Sequence, residues 1–213
     1  MTESTKNNAQ FVDVYVAEIP LSGDFVIPPD PIFPPARQAE IVACASEKAK
    51  REKFFAWKLL AHAIEKSYGL DAREVQFTKT EHGKWICDRF GFSISHSENA
   101  VCVALAPCPV GVDVERLRQL KTRDFATKIL SETELAAYHT TPESEQNEFL
   151  IRAWTRKESL FKLWNKSGFF SAEPKTLQGE TDQQTVIVAN EPYALSVATE
   201  TPLPVQVFYH AFV

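Results

Sequence analysis

The sequence lacks any long apolar run. No stretch approaches the roughly 18 apolar residues that predict a membrane-spanning helix, and the first ten residues, MTESTKNNAQ, have no apolar core of a secretory signal. It also lacks an excess of positive charge, because 23 Lys and Arg face 28 Asp and Glu, for a formal charge of −5. Binding of nucleic acid through bulk charge is thereby disfavoured. We expect a cytoplasmic protein without membrane or nucleic-acid partners.

Several catalytic motifs are missing as well. The four cysteines form no CxxC pair, so we expect buried free thiols and no zinc or dithiol centre. There is no GxSxG elbow and no glycine-rich phosphate loop, which excludes the hydrolases and nucleotide-binding proteins that depend on them. The composition, 44% apolar and 24% charged, is that of a globular protein.

The pattern along the chain predicts an α+β fold. Strand periodicity appears at 11–18, 74–78, 84–87, 91–95, 100–106, 185–189, 193–199 and 205–212, and helical spacing at about 39–68, 123–130 and 145–165. Six prolines between residues 20 and 35 predict an extended loop, and SETE at 131–134 predicts a capping box. Each half therefore has helices and a small antiparallel sheet, with 107–109 as the seam between residues 1–108 and 109–213.

The segment GVDVE at 111–115 carries two carboxylates on one face of a strand. Side chains alternate along a strand, so Asp113 and Glu115 point to the same side. Two adjacent carboxylates repel each other and need a cation, and an oxygen-only pair suits Mg²⁺. The alternative is a solvated strand end with one carboxylate paired to an arginine.

The segment WTRKESLFKLW at 154–164 places an acid and a base on an aromatic helix face. Trp154, Glu158, Phe161 and Lys162 share one flank at helical spacing. The alternative is a surface pair of Glu158 and Lys162, worth about 0.3–0.5 kcal/mol. Bulky aromatics beside the pair favour half-buried, chemically tuned groups.

Two further features have weaker signals. His96 lies in FSISHS at 92–97, where a lone histidine is more often structural than a ligand and a Ser-His neighbour pair is a weak nucleophile signal. A run of bases on the early helix is either a solvated helix face or a phosphate grip: Lys48, Lys50, Arg51, Lys53 and Lys58.

The order of these segments resembles the Sfp-type 4′-phosphopantetheinyl transferases. Their pattern, G-x-D-x-E followed by W-x-x-K-E-x-x-x-K, is matched at Gly111, Asp113, Glu115, Trp154, Lys157, Glu158 and Lys162. The resemblance extends over about residues 48–168. Departures include Ser93 where the family usually has asparagine, Trp85 where it has proline, and Asn165 where it often has a glycine; asparagine also tolerates positive φ.

The resemblance implies a site for Mg²⁺ and coenzyme A between two similar halves of a pseudo-twofold monomer. The implied metal ligands are Asp113, Glu115 and Glu158, and the implied catalytic residues are Glu158, Lys162 and His96. The implied coenzyme A contacts are Lys50, Arg51, Lys53, Lys58, Lys84, Ser95, His96 and Lys162, with Arg51 and Lys53 or Lys58 at the 3′-phosphate and Lys84 along the nucleotide.

The implied reaction moves the phosphopantetheine arm of coenzyme A to a serine of an acyl or peptidyl carrier protein, releasing 3′,5′-ADP. Glu158 or a metal-bound water would take the serine proton. The resemblance in length to Sfp-type enzymes hints at secondary metabolism. A basic patch just after the acidic strand would dock the acidic carrier: Arg116, Arg118, Lys121 and Arg123. The alternatives are a coenzyme A- or carrier-binding protein without transfer activity and a Mg²⁺-dependent phosphohydrolase.

Overall fold

The computed structural model describes residues 11–20, 32–120, 125–165 and 178–212. The first half contains β1 (Val12–Glu18), α1 (Pro35–Val42), α2 (Glu47–Tyr68), a 3₁₀ turn (Ala72–Glu74), β2 (Phe77–Lys79), β3 (Trp85–Cys87), β4 (Gly91–Ser97) and β5 (Ala100–Ala106). The second half contains β6 (Val110–Arg116), α3 (Phe125–Ile129), α4 (Glu132–Thr140), α5 (Glu143–Leu163), β7 (Glu180–Val188), β8 (Glu191–Thr199) and β9 (Val205–His210). The mixed α and β composition confirms the predicted class.

The strands of the described residues form three sheets. One has the order β4-β5-β1-β9, a second is the β2-β3 pair, and the third has the order β6-β8-β7. The expectation of an antiparallel sheet in each half is wrong for the first, because β9 pairs with β1 in parallel, from Val12 opposite Val205 to Ala17 opposite His210. The last strand of the chain thus completes the sheet of the first half, a long-range pairing that local periodicity does not encode.

Helix α2 ends at the predicted residue, whereas the helical span expected at about 39–68 is divided into α1 and α2 by residues 43–46. The Ser46 hydroxyl accepts a hydrogen bond from the Ala49 amide at 3.1 Å, and Gly69 ends the helix in the left-handed region at φ 65°. Its buried face, with Phe54, Trp57 and further apolar residues, packs against β4 and β5. Burial of this face, more than helix propensity, stabilises a helix of this kind.

A second core joins the two larger sheets. Valines at alternate positions of β1 and β6 are fully buried in it: Val12, Val14, Val16, Val110, Val112 and Val114. Because side chains alternate along a strand, the three valines of β6 place one face of that strand in the core. The intervening residues of β6, Asp113 and Glu115, are directed to the other face.

Two expectations about particular segments are corrected or limited. Only Cys102 of the four free cysteines is buried, while Cys44, Cys87 and Cys108 are half-buried. Most of the proline-rich segment lies outside the described residues, although Pro35 is the first residue of α1, where its missing N–H costs nothing. Within the described ranges, no helix combines the length and apolar character needed to cross a membrane.

Candidate active site

Two edge strands from different sheets are joined by serine side chains. We call these the serine rungs, and they are Ser93, Ser95 and Ser97 of β4. The Ser93 hydroxyl accepts from the Val112 amide at 3.0 Å. The Ser95 hydroxyl donates to Asp113 Oδ1 and the Ser97 hydroxyl to Glu115 Oε2, each at 2.7 Å. The rungs therefore fix the carboxylate face of β6 against the first half of the chain.

Helix α5 approaches the same strand closely because residue 111 is a glycine. A Cβ there would lie 1.9 Å from the Ser159 carbonyl oxygen and 2.6 Å from the Leu163 amide nitrogen. No side chain fits at such distances. The close approach lets Lys162 Nζ reach Asp113 Oδ1 at 2.7 Å and the Ser95 hydroxyl at 2.9 Å, so the lysine pairs with the strand instead of forming a surface pair along the helix.

The side chains of Asp113, Glu115, Glu158 and Lys162 form what we call the open cluster. Asp113 is only 4% exposed, which corrects the alternative of a solvated strand end, and its Oδ2 atom is buried without a hydrogen-bond partner among the described residues. Burial, followed by repulsion from Asp113 and Glu115, raises the pKa of Glu158 to about 7. Burial also raises the pKa of Glu115, which the Ser97 hydrogen bond opposes. Burial lowers the pKa of Lys162, but the charge of Asp113, the hydrogen bond to it and the charge of Glu158 together leave that pKa raised.

The donor set of the open cluster fits a hard cation, although no ready-made cage is present. Among the described residues, no group of three or more His, Cys, Asp or Glu side chains is arranged to hold a metal ion. The unpartnered Asp113 oxygen and the mutual repulsion of three carboxylates are, however, the features that a bound cation would relieve. Oxygen ligands of this kind, completed by substrate phosphates, suit Mg²⁺.

A basic cavity of about 370 Å³ lies beside the open cluster. The basic side chains in its wall are Arg37, Lys53, His82, Lys84, His96 and Lys162. Trp85, Phe92 and Phe161 contribute apolar surface, and Asn165 closes one side at φ 49°, the positive φ that its type tolerates. The described lining contains no carboxylate, so the cavity favours an anion with an apolar portion.

Only part of the expected coenzyme A contacts line this cavity. Lys53, Lys84, His96 and Lys162 do, and Ser95 bonds to Lys162. The nearest carboxylate to His96 is Glu52, at 3.7 Å from its Nδ1 atom, while burial lowers the pKa of the imidazole.

The remaining expected contacts lie elsewhere. Arg51 is buried, with its guanidinium donating to Glu47 Oε1 at 2.9 Å and to the Pro20 carbonyl at 2.9 Å. Lys58 lines a separate cavity beside Arg73. Lys50 is half-buried on α2. Their assignment to the 3′-phosphate stays a prediction.

Lys84, which we expect to lie along a nucleotide, also forms a hydrogen bond within the protein. Its Nζ atom donates to the Lys162 carbonyl at 2.7 Å, which caps the last turn of α5. Burial, and then the charge of Lys162, lower the pKa of Lys84 to about 8. The ammonium therefore anchors the end of the helix that carries Lys162 and also faces the cavity.

Three residues of this site were not predicted. Arg37, 9% exposed, and His82 line the cavity, yet neither has a local signal except that His82 adjoins the Gly83-Lys84 pair. Ser97 has no signal of its own beside His96. Its alternation with Ser93 and Ser95, however, predicts a polar face on this strand.

Lys157, although part of the motif, is bonded into a different group on the opposite flank of α5. Its Nζ atom donates to the Ile129 carbonyl and to Glu134 Oε2, each at 2.5 Å. Glu134 also completes the predicted capping box with Ser131. These bonds overcome burial and lower the pKa of Glu134 to about 2. We call Ser131, Glu134 and Lys157 the closed cluster.

An apolar pocket of about 220 Å³ lies on the far side of Glu115. Its lining includes Trp154, which packs on Phe125 at 5.1 Å between ring centroids, and the rim includes Arg116 and Arg118. Arg116 pairs with Glu191 at 2.8 Å. Lys121 and Arg123 of the expected carrier patch lie outside the described residues.

Comparison with known proteins supports the resemblance found in the sequence. Residues 109–202 match the family model described as the 4′-phosphopantetheinyl transferase superfamily. The chain is 31% identical over 111 residues to a 4′-phosphopantetheinyl transferase of Bacillus subtilis, covering 51% of this chain and 49% of the relative.

Two more relatives give the same result. Identity is 29% over 111 residues to 4′-phosphopantetheinyl transferase Sfp of Bacillus subtilis strain 168, covering 51% of this chain and 49% of the relative. It is 26% over 132 residues to 4′-phosphopantetheinyl transferase psf-1 of Bacillus pumilus, covering 61% and 56%. The resemblance found in the sequence is confirmed, and the chain spans about half the length of the relatives it matches.

Proposed function

We propose that this chain is a transferase that moves the 4′-phosphopantetheine arm of coenzyme A to a serine hydroxyl of a carrier protein. The observation that carries the proposal is the adjacency of the basic cavity and the open cluster, which share Lys162. The cavity favours a phosphate-rich, partly apolar ligand, and the carboxylates favour the cation that such a ligand brings. The names of the relatives point to the same activity.

In the proposed reaction, the carrier serine oxygen forms a bond to the β-phosphorus of coenzyme A as the bond from that phosphorus to the oxygen of 3′,5′-ADP breaks. Asp113, Glu115 and Glu158 would hold Mg²⁺, which supplies charge neutralisation on the diphosphate. Lys162 and His96 would bind phosphate oxygens. Glu158 would accept the serine proton; burial and the neighbouring carboxylates raise its pKa to about 7, and a bound cation would lower that pKa.

We also propose that the carrier docks over the apolar pocket beside Glu115. Arg116 and Arg118 lie on its rim, and the loop that carries them is tied to α5, because the Leu120 amide donates to Asn147 Oδ1 at 2.9 Å. An acidic carrier helix would complement these arginines and place its serine near Glu115. The variant Arg118→Glu should raise the KM for carrier; an unchanged KM would contradict this docking site.

The proposed architecture is a monomer of two subdomains divided near residue 108, related by a pseudo-twofold axis. The serine rungs lie between the two halves. A coenzyme bound there would contact both. Strand β9 belongs to the second half of the chain but pairs with β1 in the sheet of the first half, which departs from a simple division of the chain.

The test is intact mass spectrometry of an apo carrier incubated with the protein, coenzyme A and Mg²⁺, with EDTA in a parallel sample. We expect the mass of one phosphopantetheine arm on the carrier, and none with EDTA. Binding of coenzyme A without a mass gain would instead identify a binding protein. Cleavage of coenzyme A without carrier would identify a phosphohydrolase.

A further inference from the structure

Ser97, the outermost of the serine rungs, has its hydroxyl fully used by β6. The hydroxyl donates its single proton to Glu115 Oε2 at 2.7 Å and accepts from the Arg116 amide at 3.4 Å. A hydroxyl held by a backbone amide has a fixed direction for its own proton. The Glu115 carboxylate is therefore held by a neutral donor on the first half of the chain.

The charges around Glu115 would pull it elsewhere without that bond. Asp113 repels the Glu115 carboxylate, and Arg118, which lines the apolar pocket, attracts it more strongly than Lys162 of the open cluster does. Arg118 is nearly half exposed, 46%, and its pairing with Glu98, at 3.9 Å, is loose. The arginine is thus a competing partner that would draw Glu115 out of the open cluster.

We propose that Ser97 is a positioning residue that holds Glu115 within the open cluster and away from Arg118, so that the three carboxylates converge on one cation. This inference rests on the proposed function, because the cation is the one that the transferase reaction requires. Ser95 differs from Ser97 in contacting Lys162 itself. Ser93 differs in bonding only to a backbone amide, so it reports on the joining of β4 to β6 without touching a carboxylate.

The test measures the affinity for Mn²⁺, a stand-in for Mg²⁺, in the full chain with coenzyme A, from the electron paramagnetic resonance signal of free Mn²⁺. The matched variants are Ser97→Val and Ser97→Thr, which have nearly the same shape and differ by a methyl in place of the hydroxyl. We expect Ser97→Val to weaken Mn²⁺ binding by about tenfold or more, as loss of a bond to a metal ligand commonly does. Ser97→Thr should bind like the wild type, and Ser93→Ala, which removes a rung that lines the cavity but contacts no carboxylate, should weaken Mn²⁺ binding less than Ser97→Val does.

Equal affinities of Ser97→Val and Ser97→Thr would overturn the inference and leave the proposed function standing. A loss of the same size in Ser93→Ala would also overturn it, because the rungs would then act only by joining the strands. Absence of Mn²⁺ binding in the wild type would overturn the proposed metal site and the inference together. Thermal melts of each variant establish that the affinities belong to folded protein.

Discussion

Helix α5 carries two lysine–carboxylate clusters with opposite character. In the closed cluster, Lys157 is 3% exposed and both it and Glu134 have several hydrogen-bond partners. In the open cluster, Lys162 reaches only one oxygen of Asp113, and the other is buried without a partner. The pKa shifts follow the same division, to about 2 for Glu134 and about 7 for Glu158.

The closed cluster has the complete pairing of a group that stabilises the fold, whereas the open cluster has the unsatisfied charge expected of a ligand site. A buried charge is tolerated when its partners are complete, and the closed cluster meets that condition. An excess of buried negative charge costs stability that only a further cation recovers, and the open cluster has that excess. One motif, W-x-x-K-E-x-x-x-K, therefore supplies a structural lysine, Lys157, and Lys162, the lysine that we propose binds phosphate.

The largest expected effect comes from breaking the open cluster at Asp113. The variant Asp113→Asn keeps the shape of the side chain but removes the charge that attracts both Lys162 and the proposed Mg²⁺. We expect transfer to fall by about a thousandfold, comparable to loss of a principal electrostatic group. Calorimetric titration should find no Mg²⁺ binding to this variant with coenzyme A, and binding of wild-type strength would contradict the assignment.

The two lysines should differ in their effect on catalysis when each is replaced by methionine. Lys157→Met leaves Glu134 without its buried partner, so the free energy of unfolding should fall by about 3 kcal/mol, with little change in kcat for the folded fraction. Lys162→Met leaves the buried Asp113 without its lysine and also costs stability, but it should in addition lower transfer by the folded fraction by about a hundredfold. Urea unfolding and carrier modification measure the two effects. A large stability loss in Lys162→Met with normal kcat would reverse the comparison.

The glycine of β6 tests whether the open cluster depends on close packing. Gly111→Ala places a Cβ against backbone atoms of α5, and a clash of this kind costs about 1–3 kcal/mol or more. The strand and helix should separate near Lys162, lowering transfer more than stability. Gly83→Ala, on the loop next to Lys84, supplies a strained-glycine control, at φ 85° with no backbone atom near the added carbon. Equal transfer rates in both variants would contradict a role for the β6–α5 contact.

The smallest effect is a pH dependence confined to the closed cluster. Glu134 has a folded-state pKa of about 2, below the unfolded value of about 4.3. Its bonds therefore stabilise the protein above the unfolded pKa, and this contribution is lost as the pH falls from about 4.3 towards 2. The variant Glu134→Gln should be less stable at pH 7 and lose less stability than the wild type over that interval. If the free energy of unfolding of the variant and of the wild type changed in parallel over that pH interval, the low pKa assigned to Glu134 would be contradicted.

Local features of this sequence were predictable, whereas contacts between distant strands were not. The capping box at Ser131, the glycine end of α2 and the shared face of Asp113 and Glu115 depend on neighbouring residues, and each is present. The parallel addition of β9 to β1 depends on residues almost the whole chain apart. No periodicity within either strand specifies that partner.

The site follows the same rule. The carboxylates and Lys162 could be named from spacing and resemblance, but the serine rungs required knowledge that β4 and β6 are neighbouring edge strands. Arg37 reaches the cavity from α1, outside every motif. Burial was also underestimated, because Asp113 at a strand end lies beneath α5, which the glycine at 111 allows to approach.

The most direct test of the account applies one isosteric change to both clusters. Asp113→Asn and Glu134→Gln each neutralise a carboxylate bonded to a lysine of α5. The measurement is the initial rate of phosphopantetheine addition to an apo carrier, by intact mass, at a temperature where both variants are folded. The account predicts a loss of about a thousandfold for Asp113→Asn and a rate within about threefold of wild type for Glu134→Gln. Equal rates in the two variants would contradict the division of α5 into an open, catalytic cluster and a closed, structural one.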